Sequence, residues 1–502
     1  MPLTKSVDSD ISKYLQIKSS KLSATDQIVA IQMDEIYVKA ALNYSGGKLI
    51  GTASNAVESA TTVQAFFISS IFGNYTEVVG LIPMKKMTSD DLQGNLIQTI
   101  QTVQSVGFKV LAVIADNNAV NRKVYKQLAG SSQNAYTFEN PVYSGTPIFL
   151  LHDSVHILKC IWHNWINQKD TEQTFVFPCY PVSQSEELMR AKMSSLKILY
   201  NKECNNITKL APAITHKALF PSSFDRQKVS LALAVFNEYN VAALRLSDQE
   251  DGTATFINTI LQWWNIINVK NKFTGTKLRN PFAMPITATD KTNLLNLEQL
   301  CKWVEAWHNL PVREGKLTRE TFHALIHTLK AMIDLTKYAF TNIMNIEYIL
   351  LGKLQTDNLE ARFSEYRQLS GANYLVSVQQ ILETEKKLKI YSVLCMCSSR
   401  CGDIPIRDLL AVFSTDNEME TSAAKQGDPW FEVNVENSEI IVPDGTVDVL
   451  VYISGFAAYR LCRRLKCPSC CLLIQQAKGI TAEIEPDLSW LDYTHLIDRG
   501  GL

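Results

Sequence analysis

An α/β chain is predicted, with a mixed sheet flanked by helices and a large all-α domain inserted into it. Three observations carry this reading. Strand-like apolar runs open the globular part near Ile28, buried strands then alternate with helices, and residues 188–350 show helical periodicity with no convincing alternation. At 502 residues, 46% hydrophobic and 20% charged, the chain is long enough for two or three packed domains. A formal net charge of -1 excludes a broadly basic protein, so any grip on a polyanion has to come from local patches. The N-terminus has no apolar core of signal-peptide length, and no apolar stretch approaches the roughly 18 to 20 residues of a membrane helix, so no membrane partner is expected. Eleven cysteines, an odd number spread over a long chain, imply reduced thiols and hence a soluble protein of cytosol or nucleus.

Residues 1–27 are polar and without periodicity, and read as a linker remnant. The first part of the core covers 28–187. Its opening strands are predicted over about 29–38, 42–53 and 76–85, the first two joined around the turn signal Tyr44-Ser45-Gly46-Gly47. Ser89, Asp90 and Asp91 then start a helix with apolar residues at helical spacing, which stops at Gly107. KVLAVIAD reads as a buried strand, RKVYKQLAG as a short helix, TPIFLLHD as a strand and SVHILKCIWHNWIN as a helix. The order β-β-β-α-β-α-β-α is the RNase H-like arrangement, in which the first strand lies beside the next buried parallel strand.

Three acids stand where a metal-dependent nuclease places its carboxylates. Asp34 is mid-strand in IVAIQMDEIYVKA, Asp116 ends KVLAVIAD, and Glu360 lies on a late helix in TDNLEARFSEYR. Strands about 4.8 Å apart bring the two aspartates within reach of shared divalent cations, and an acid from a later helix completes the set. Two metals held there can activate a water or a 3'-hydroxyl and stabilise the leaving oxygen of a phosphodiester. Asp116, followed by Asn117 and Asn118 before a helix, is equally a capping sequence.

The runs QMDEIYVKAALNYSGGKLIG, GLIPMKK, VLAVIADNNAVNRKVYKQL, FLLHDSVHILKCIWHNW, TDNLEARFSEYRQLSGANY and VYISGFAAYRLCRRLKCPSCC resemble, in order, landmarks of P-element-type transposases, including relatives that carry a THAP domain. The resemblance runs from about residue 28 to the C-terminal LIDRGGL. It implies that Asp34, Asp116 and Glu360 are the catalytic acids, the second starting a D-x-x-x-x-N-like turn and the third sitting in an L-E-x-x-F helix. It also implies Mg2+ or Mn2+ as cofactor, DNA as partner at transposon ends and target, a homo-oligomer on DNA, and a nuclear location.

The helical stretch 188–350 interrupts the core, which resumes over 351–415 with Glu360. From pattern alone this insertion is a helical buttress. The resemblance implies a GTP-binding domain instead, and the absence of G-x-x-x-x-G-K-[ST] excludes a Walker-type site. Lys228 and Val229 match a Lys-Val pair at a helix start, although Lys228 is also an ordinary surface lysine by its sequence. Asp357, one turn before Glu360, matches an aspartate that helps hold the nucleotide's metal. Asn265 and Asn268, in QWWNIIN, match a guanine-reading pattern whose first position is Asp. An asparagine offers one acceptor and a donor where a carboxylate accepts twice, so weak GTP binding, another nucleotide and a vestigial site all stay open.

Asp153 and His156, in a D-x-x-H-x-x-K run ending at Lys159, are too few ligands for a metal site and read as a helix cap and a packed histidine. Cys462, Cys467, Cys470 and Cys471 hold one C-x-x-C, and Cys395, Cys397 and Cys401 form a second group. A lone C-x-x-C is half of a tetrahedral site, so zinc is not expected. Arg460, Arg463, Arg464 and Lys466 form a basic run that suits a DNA backbone or a solvated face. The first cysteine is Cys160, so the zinc module of THAP-bearing relatives is not in this sequence. The C-terminal segment, 416–502, stops earlier than such relatives, as a truncated copy would. A DNA transposase core is the expectation, with a domesticated, non-catalytic protein binding DNA, nucleotide or protein partners as its alternative.

Overall fold

The computed structural model describes residues 9–398, apart from 46, 131–134, 183–186, 247–250 and 372. The chain starts with α1 (Ser9–Lys21), then β1 (Ile28–Tyr37), β2 (Asn43–Ser45), β3 (Lys48–Ile50), β4 (Thr62–Ser70) and β5 (Thr76–Met84). Next come α2 (Ser89–Ser105), β6 (Lys109–Ala115), α3 (Ala119–Ala129), β7 (Thr137–Glu139), β8 (Pro147–His152) and α4 (Ser154–Ile166). Six of these strands form one sheet in the order β5-β4-β1-β6-β8-β7. The pairs β5–β4 and β4–β1 are antiparallel, β1–β6 and β6–β8 parallel, and β8–β7 antiparallel. This is the expected RNase H-like mixed sheet.

Strand alternation sorts β1 between the two faces of the sheet. Val29, Ile31 and Met33 pack with Leu92, Leu96 and Ile100 of α2 and with Tyr14 and Leu15 of α1. Ala30 faces Ile157, Leu158 and Ile161 of α4. Asp34 shares the even-numbered face with Ala30.

Three sequence expectations need correction. The strand expected over 42–53 is only the β2–β3 hairpin, and the turn signal at 44–47 lies inside it. The antiparallel neighbour of β1 is Thr62–Ser70, which is buried at every position and therefore shows no alternation to read. The polar stretch 1–27 contains α1, held to the core through Tyr14, Leu15 and a buried ion pair of Lys18 with Glu77. Gly107, at φ +100, closes α2 against it, since a Cβ there would lie 2.9 Å from Ser19 Oγ.

The insertion is entered through an antiparallel pair, β9 (Thr174–Pro178) with β10 (Leu188–Lys192), so 188–192 is strand and not helix. It continues with α5 (Met193–Glu203), α6 (His216–Leu219), α7 (Val229–Val235), α8 (Glu238–Leu246), α9 (Asp251–Ile267), α10 (Thr274–Leu278), β11 (Ile286–Thr287), α11 (Thr292–Asn309) and α12 (Arg319–Asn342). The single helix expected through QKVSLALAVFNEYNVAALRL is broken at Phe236 and Asn237. After β12 (Tyr348–Ile349), α13 (Asp357–Leu369) and α14 (Val378–Ser398) return to the sheet. Leu359, Phe363 and Tyr366 of α13 pack on Ile36 of β1 and on Val38 just beyond it.

Insertion and core share one hydrophobic cluster. Trp165 of α4 touches Phe175, Phe236 and Phe256, and Phe256 touches Trp303 and Trp307 of α11. Helix α12 also completes the sheet. Strand β7 pairs with β8 only as far as Phe149. Beyond it His327 Nε2 donates to the Leu150 carbonyl at 2.9 Å, and the Thr328 hydroxyl bonds both the N–H (3.0 Å) and the C=O (3.3 Å) of His152. Backbone groups that a missing strand would leave unpaired are thereby satisfied from the insertion. Among the described residues no helix is long and apolar enough to cross a membrane.

Candidate active site

Strand pairing decides where the two aspartates meet. Gln32 of β1 is level with Ile114 of β6, so Asp34 and Asp116, each two residues further on, come side by side just beyond the last parallel pair of these strands. Asp34 Oδ1 accepts from the N–H of Glu35 at 2.8 Å. Asp116 is fixed by Asn121, whose amide donates to both the carboxylate and the main-chain carbonyl. Asn121 is the last residue of the D-x-x-x-x-N pattern, which gives that spacing a physical meaning. The capping residue of α3 is Asn118, not Asp116.

Burial, followed by the charge of Asp116, pushes the Asp34 carboxyl up to about 7, and Glu360 adds to the rise. Glu35 is raised for the same two reasons, burial first. The third acid therefore lies close enough to act on the first. Glu360 sits in the first turn of α13, with Oε1 3.5 Å from His156 Nε2. Its carboxyl is held below the usual range, chiefly by that histidine. Burial alone would lower His156, but Glu360, Asp153 and Asp116 together outweigh it and raise the imidazole.

Asp153, fully buried, ties these pieces together. Its N–H donates to the Ala115 carbonyl at 2.8 Å, next to Asp116. One carboxylate oxygen caps α4 through the N–H of His156 (3.0 Å), and the other accepts the N–H of Thr356 (3.1 Å), the residue that precedes α13. The sequence reading as a helix cap holds, with a second backbone partner that spacing alone does not reveal. Sequence reasoning missed His152, His327 and Thr328. His152, brought down to about 3 by burial and then by His327, places a neutral ring with Nδ1 3.4 Å from the Asp116 carbonyl. No motif marks these residues, because their role depends on α12 arriving from the insertion.

The donor chemistry suits a hard divalent cation, which binds carboxylate oxygens. The mutual repulsion of Asp34 and Asp116 is the electrostatic signature of a place short of positive charge. Among the described residues, however, no three His, Cys, Asp or Glu side chains are drawn into one ready metal cluster. The carboxylates are neighbours without being a preformed cage.

The nucleotide candidates fall into two groups. Lys228 stands just before α7, pairs with Asp225 at 3.0 Å and lies 5.2 Å from the Phe224 ring, with Val229 beginning the helix. Arg226 beside it bonds Asn167 at 3.0 Å and His163 at 2.8 Å, at the C-terminal end of α4. Asp357 instead pairs with Lys270, two residues beyond Asn268, and Gln355 contacts Ser154 at the N-terminal end of α4. At roughly 1.5 Å per residue the two ends of α4 are about 18 Å apart. No hydrogen bond or ion pair among the described residues joins Lys228 to Asn265, Asn268 or Asp357. A polar cavity of about 300 Å3 lies on the Asp357 side, lined by Lys270, Lys353, Gln355, Asp357 and the β4–β5 turn, and the three catalytic candidates do not line it. The cysteine groups at 395–401 and 462–471 and the basic run at 460–466 lie outside the described side chains.

The electrostatics yield a first expected result. A carboxyl whose folded pKa exceeds its unfolded value, here about 7 against 3.8, binds its proton more tightly when folded. Stability of the metal-free protein should therefore fall as pH rises from about 4 to about 7 and level off above, the Asp34 share being on the order of 4 kcal/mol. Thermal unfolding in EDTA across that range checks this, and Asp34→Asn should flatten the slope.

Residues 4–129 match the family model described as "TNP-like, RNase H N-terminal domain". Among solved structures, the "Drosophila P element transposase strand transfer complex" matches with a TM-score of 0.62 at 18% identity, over 75% of this chain and 80% of that one. No curated protein sequence matches the chain. The family model supports the transposase resemblance over residues 4–129, and the structural match shows that the fold is that of a P element transposase.

Proposed function

We propose that this chain is the core of a P-element-type DNA transposase, cleaving and joining DNA strands with Asp34, Asp116 and Glu360. One observation supports it above the others: burial, and then the charge of Asp116 from the adjacent parallel strand, raise Asp34 to about 7, with Glu360 in the same field. Asp34, Asp116 and Glu360 would together hold the cations. Bound Mg2+ or Mn2+ would polarise the scissile phosphate and lower the pKa of the attacking water or 3'-hydroxyl. Asn121 holds Asp116, and Asp153 holds the Glu360 helix against the same strand ends. A transposase-derived binding protein is the second reading, and the lack of a ready three-ligand cluster among the described residues favours it. Incubation of supercoiled plasmid with Mg2+ or Mn2+ separates the two. Metal-dependent nicking is expected; intact plasmid beside measurable DNA binding would support the second reading.

The proposal includes a guanine nucleotide as non-hydrolysed cofactor, a homo-oligomer on DNA ends, and action in the nucleus. The Asp357 cavity supports the nucleotide. Lys270 and Lys353 offer positive charge, and the Gln355 amide oxygen is buried without a partner. Saturating GTP with Mg2+ should raise the unfolding temperature by a few degrees, equivalent to about 2.7 kcal/mol at a hundred times Kd. Asp357→Ala should reduce that rise. ATP giving the same rise as GTP would match the asparagine at position 265, and no rise with either would remove the nucleotide from the proposal.

A further inference from the structure

Beyond Asp34, three largely exposed tyrosines stand around the C-terminal end of β1. Tyr37 is 67% exposed, Tyr44 78% and Tyr374 75%. Main-chain and side-chain contacts bring their segments together. Val38 bridges Val376 in parallel, Lys39 N–H donates to the Val376 carbonyl at 2.9 Å, and Asn43 on the β2–β3 hairpin bonds Gln379 at 2.6 Å. Tyr374 carries the Arg367 guanidinium 5.6 Å from its ring centre. Among the described residues no carboxylate pairs with Arg367, whose Nε is itself buried without a hydrogen-bond partner, so only the outer part of its guanidinium can meet a phosphate. Lys39 is exposed beside them and likewise unpaired.

An aromatic ring offers every base a stacking face, and an unpaired guanidinium or ammonium offers a phosphate its counter-charge. A protein partner would favour the same rings, but it leaves Arg367 and Lys39 without a purpose. A duplex hides its base faces. We propose that this surface binds unpaired nucleotides of a DNA strand, stacking bases on Tyr37, Tyr44 and Tyr374 while Arg367 and Lys39 hold the phosphates. Tyr37 stands three residues beyond Asp34, about 10 Å along the strand and on the opposite face of β1. The surface would therefore hold unpaired nucleotides at the end of β1, beside the carboxylates and not on them. This rests on the DNA-strand-cleavage reading for its substrate, but binding is measurable without turnover.

The test is fluorescence anisotropy of an end-labelled 15-nucleotide oligothymidine, against a duplex of equal length, with the full chain in EDTA so that no cleavage intervenes. Single-strand binding should weaken about tenfold for each of Tyr44→Ser and Tyr374→Ser, and survive in Tyr44→Phe, which keeps the stacking face. Arg367→Gln should weaken it and flatten its salt dependence. These positions are exposed, so the fold, checked by circular dichroism, should persist. Equal losses on duplex and single strand, or binding untouched by both serine variants, would overturn the proposal. So would concentration-dependent self-association that Tyr44→Ser abolishes, which would assign the patch to a second copy. Loss of plasmid nicking with single-strand binding intact would count against the cleavage reading alone.

Discussion

Asp34→Asn, Asp116→Asn and Glu360→Ala should each lower metal-dependent nicking by roughly a thousandfold or more, measured as the initial rate of conversion of supercoiled to open-circular plasmid. Residues that act as one centre are not additive, so the Asp34→Asn, Glu360→Ala double variant should be little worse than either single one. The folded state should survive all three. Asp34→Asn should even stabilise the metal-free protein near pH 8, because it removes a buried charge and its repulsion by Asp116, the two causes that raise Asp34. A catalytic loss joined to a stability gain separates a functional acid from a structural one. An Asp34→Asn protein that nicks at the parent rate would remove Asp34 from the centre.

Asp153→Ala should be the most damaging substitution outside the three acids. The carboxylate is fully buried and accepts two backbone N–H groups, one at the start of α4 and one just before α13. Its removal costs a helix cap, about 1 kcal/mol, and leaves a second buried donor unsatisfied, about 1–3 kcal/mol more. A loss of roughly 2–4 kcal/mol in urea unfolding is expected. Asp153→Asn keeps one acceptor and turns a donor toward the other N–H, so it should lie between the two. The effect should also reach the chemistry, since Glu360 follows Thr356 by one turn and the Glu360 N–H bonds the Thr356 carbonyl at 3.0 Å. Under folding conditions Asp153→Asn should raise the Mn2+ concentration needed for half-maximal nicking more than it lowers the limiting rate. A purely structural role would leave the metal dependence unchanged.

Much of the sheet was legible in the sequence because its parallel strands are short buried runs flanked by capped helices. KVLAVIAD and TPIFLLHD became β6 and β8, and the helix opened by Asp90 and Asp91 carries a full capping box between Thr88 and Asp91. The second antiparallel strand escaped because TVQAFFISS is buried on both faces, while the glycine turn at 44–47 drew attention to a hairpin outside the main sheet. Helix α1 escaped because its apolar contacts are few and its buried lysine is paired only in three dimensions. Asp34 and Asp116 could be placed together from strand order, since register follows from parallel pairing of two buried runs. The support beneath them could not. His327 and Thr328 lie more than 170 positions from the strand they complete, and nothing local marks a helix residue as the substitute for a missing strand. The nucleotide positions show the same limit. Asp357 and Lys228 each sit at the start of a helix as their patterns suggest, yet their neighbours Gln355 and Arg226 bond opposite ends of α4.

Titration of the purified full chain with Mn2+ at pH 8, followed by calorimetry or by loss of the free-ion electron paramagnetic resonance signal, tests most directly whether the three acids are one metal centre. At that pH the Asp34 carboxyl, with its pKa raised to about 7, is mostly ionised. Saturable binding is expected, weakened at least tenfold by Asp34→Asn, Asp116→Asn or Glu360→Ala and little changed by Tyr44→Ser. Binding that all three acid substitutions leave intact, or no binding at all, would contradict a metal centre built on Asp34, Asp116 and Glu360.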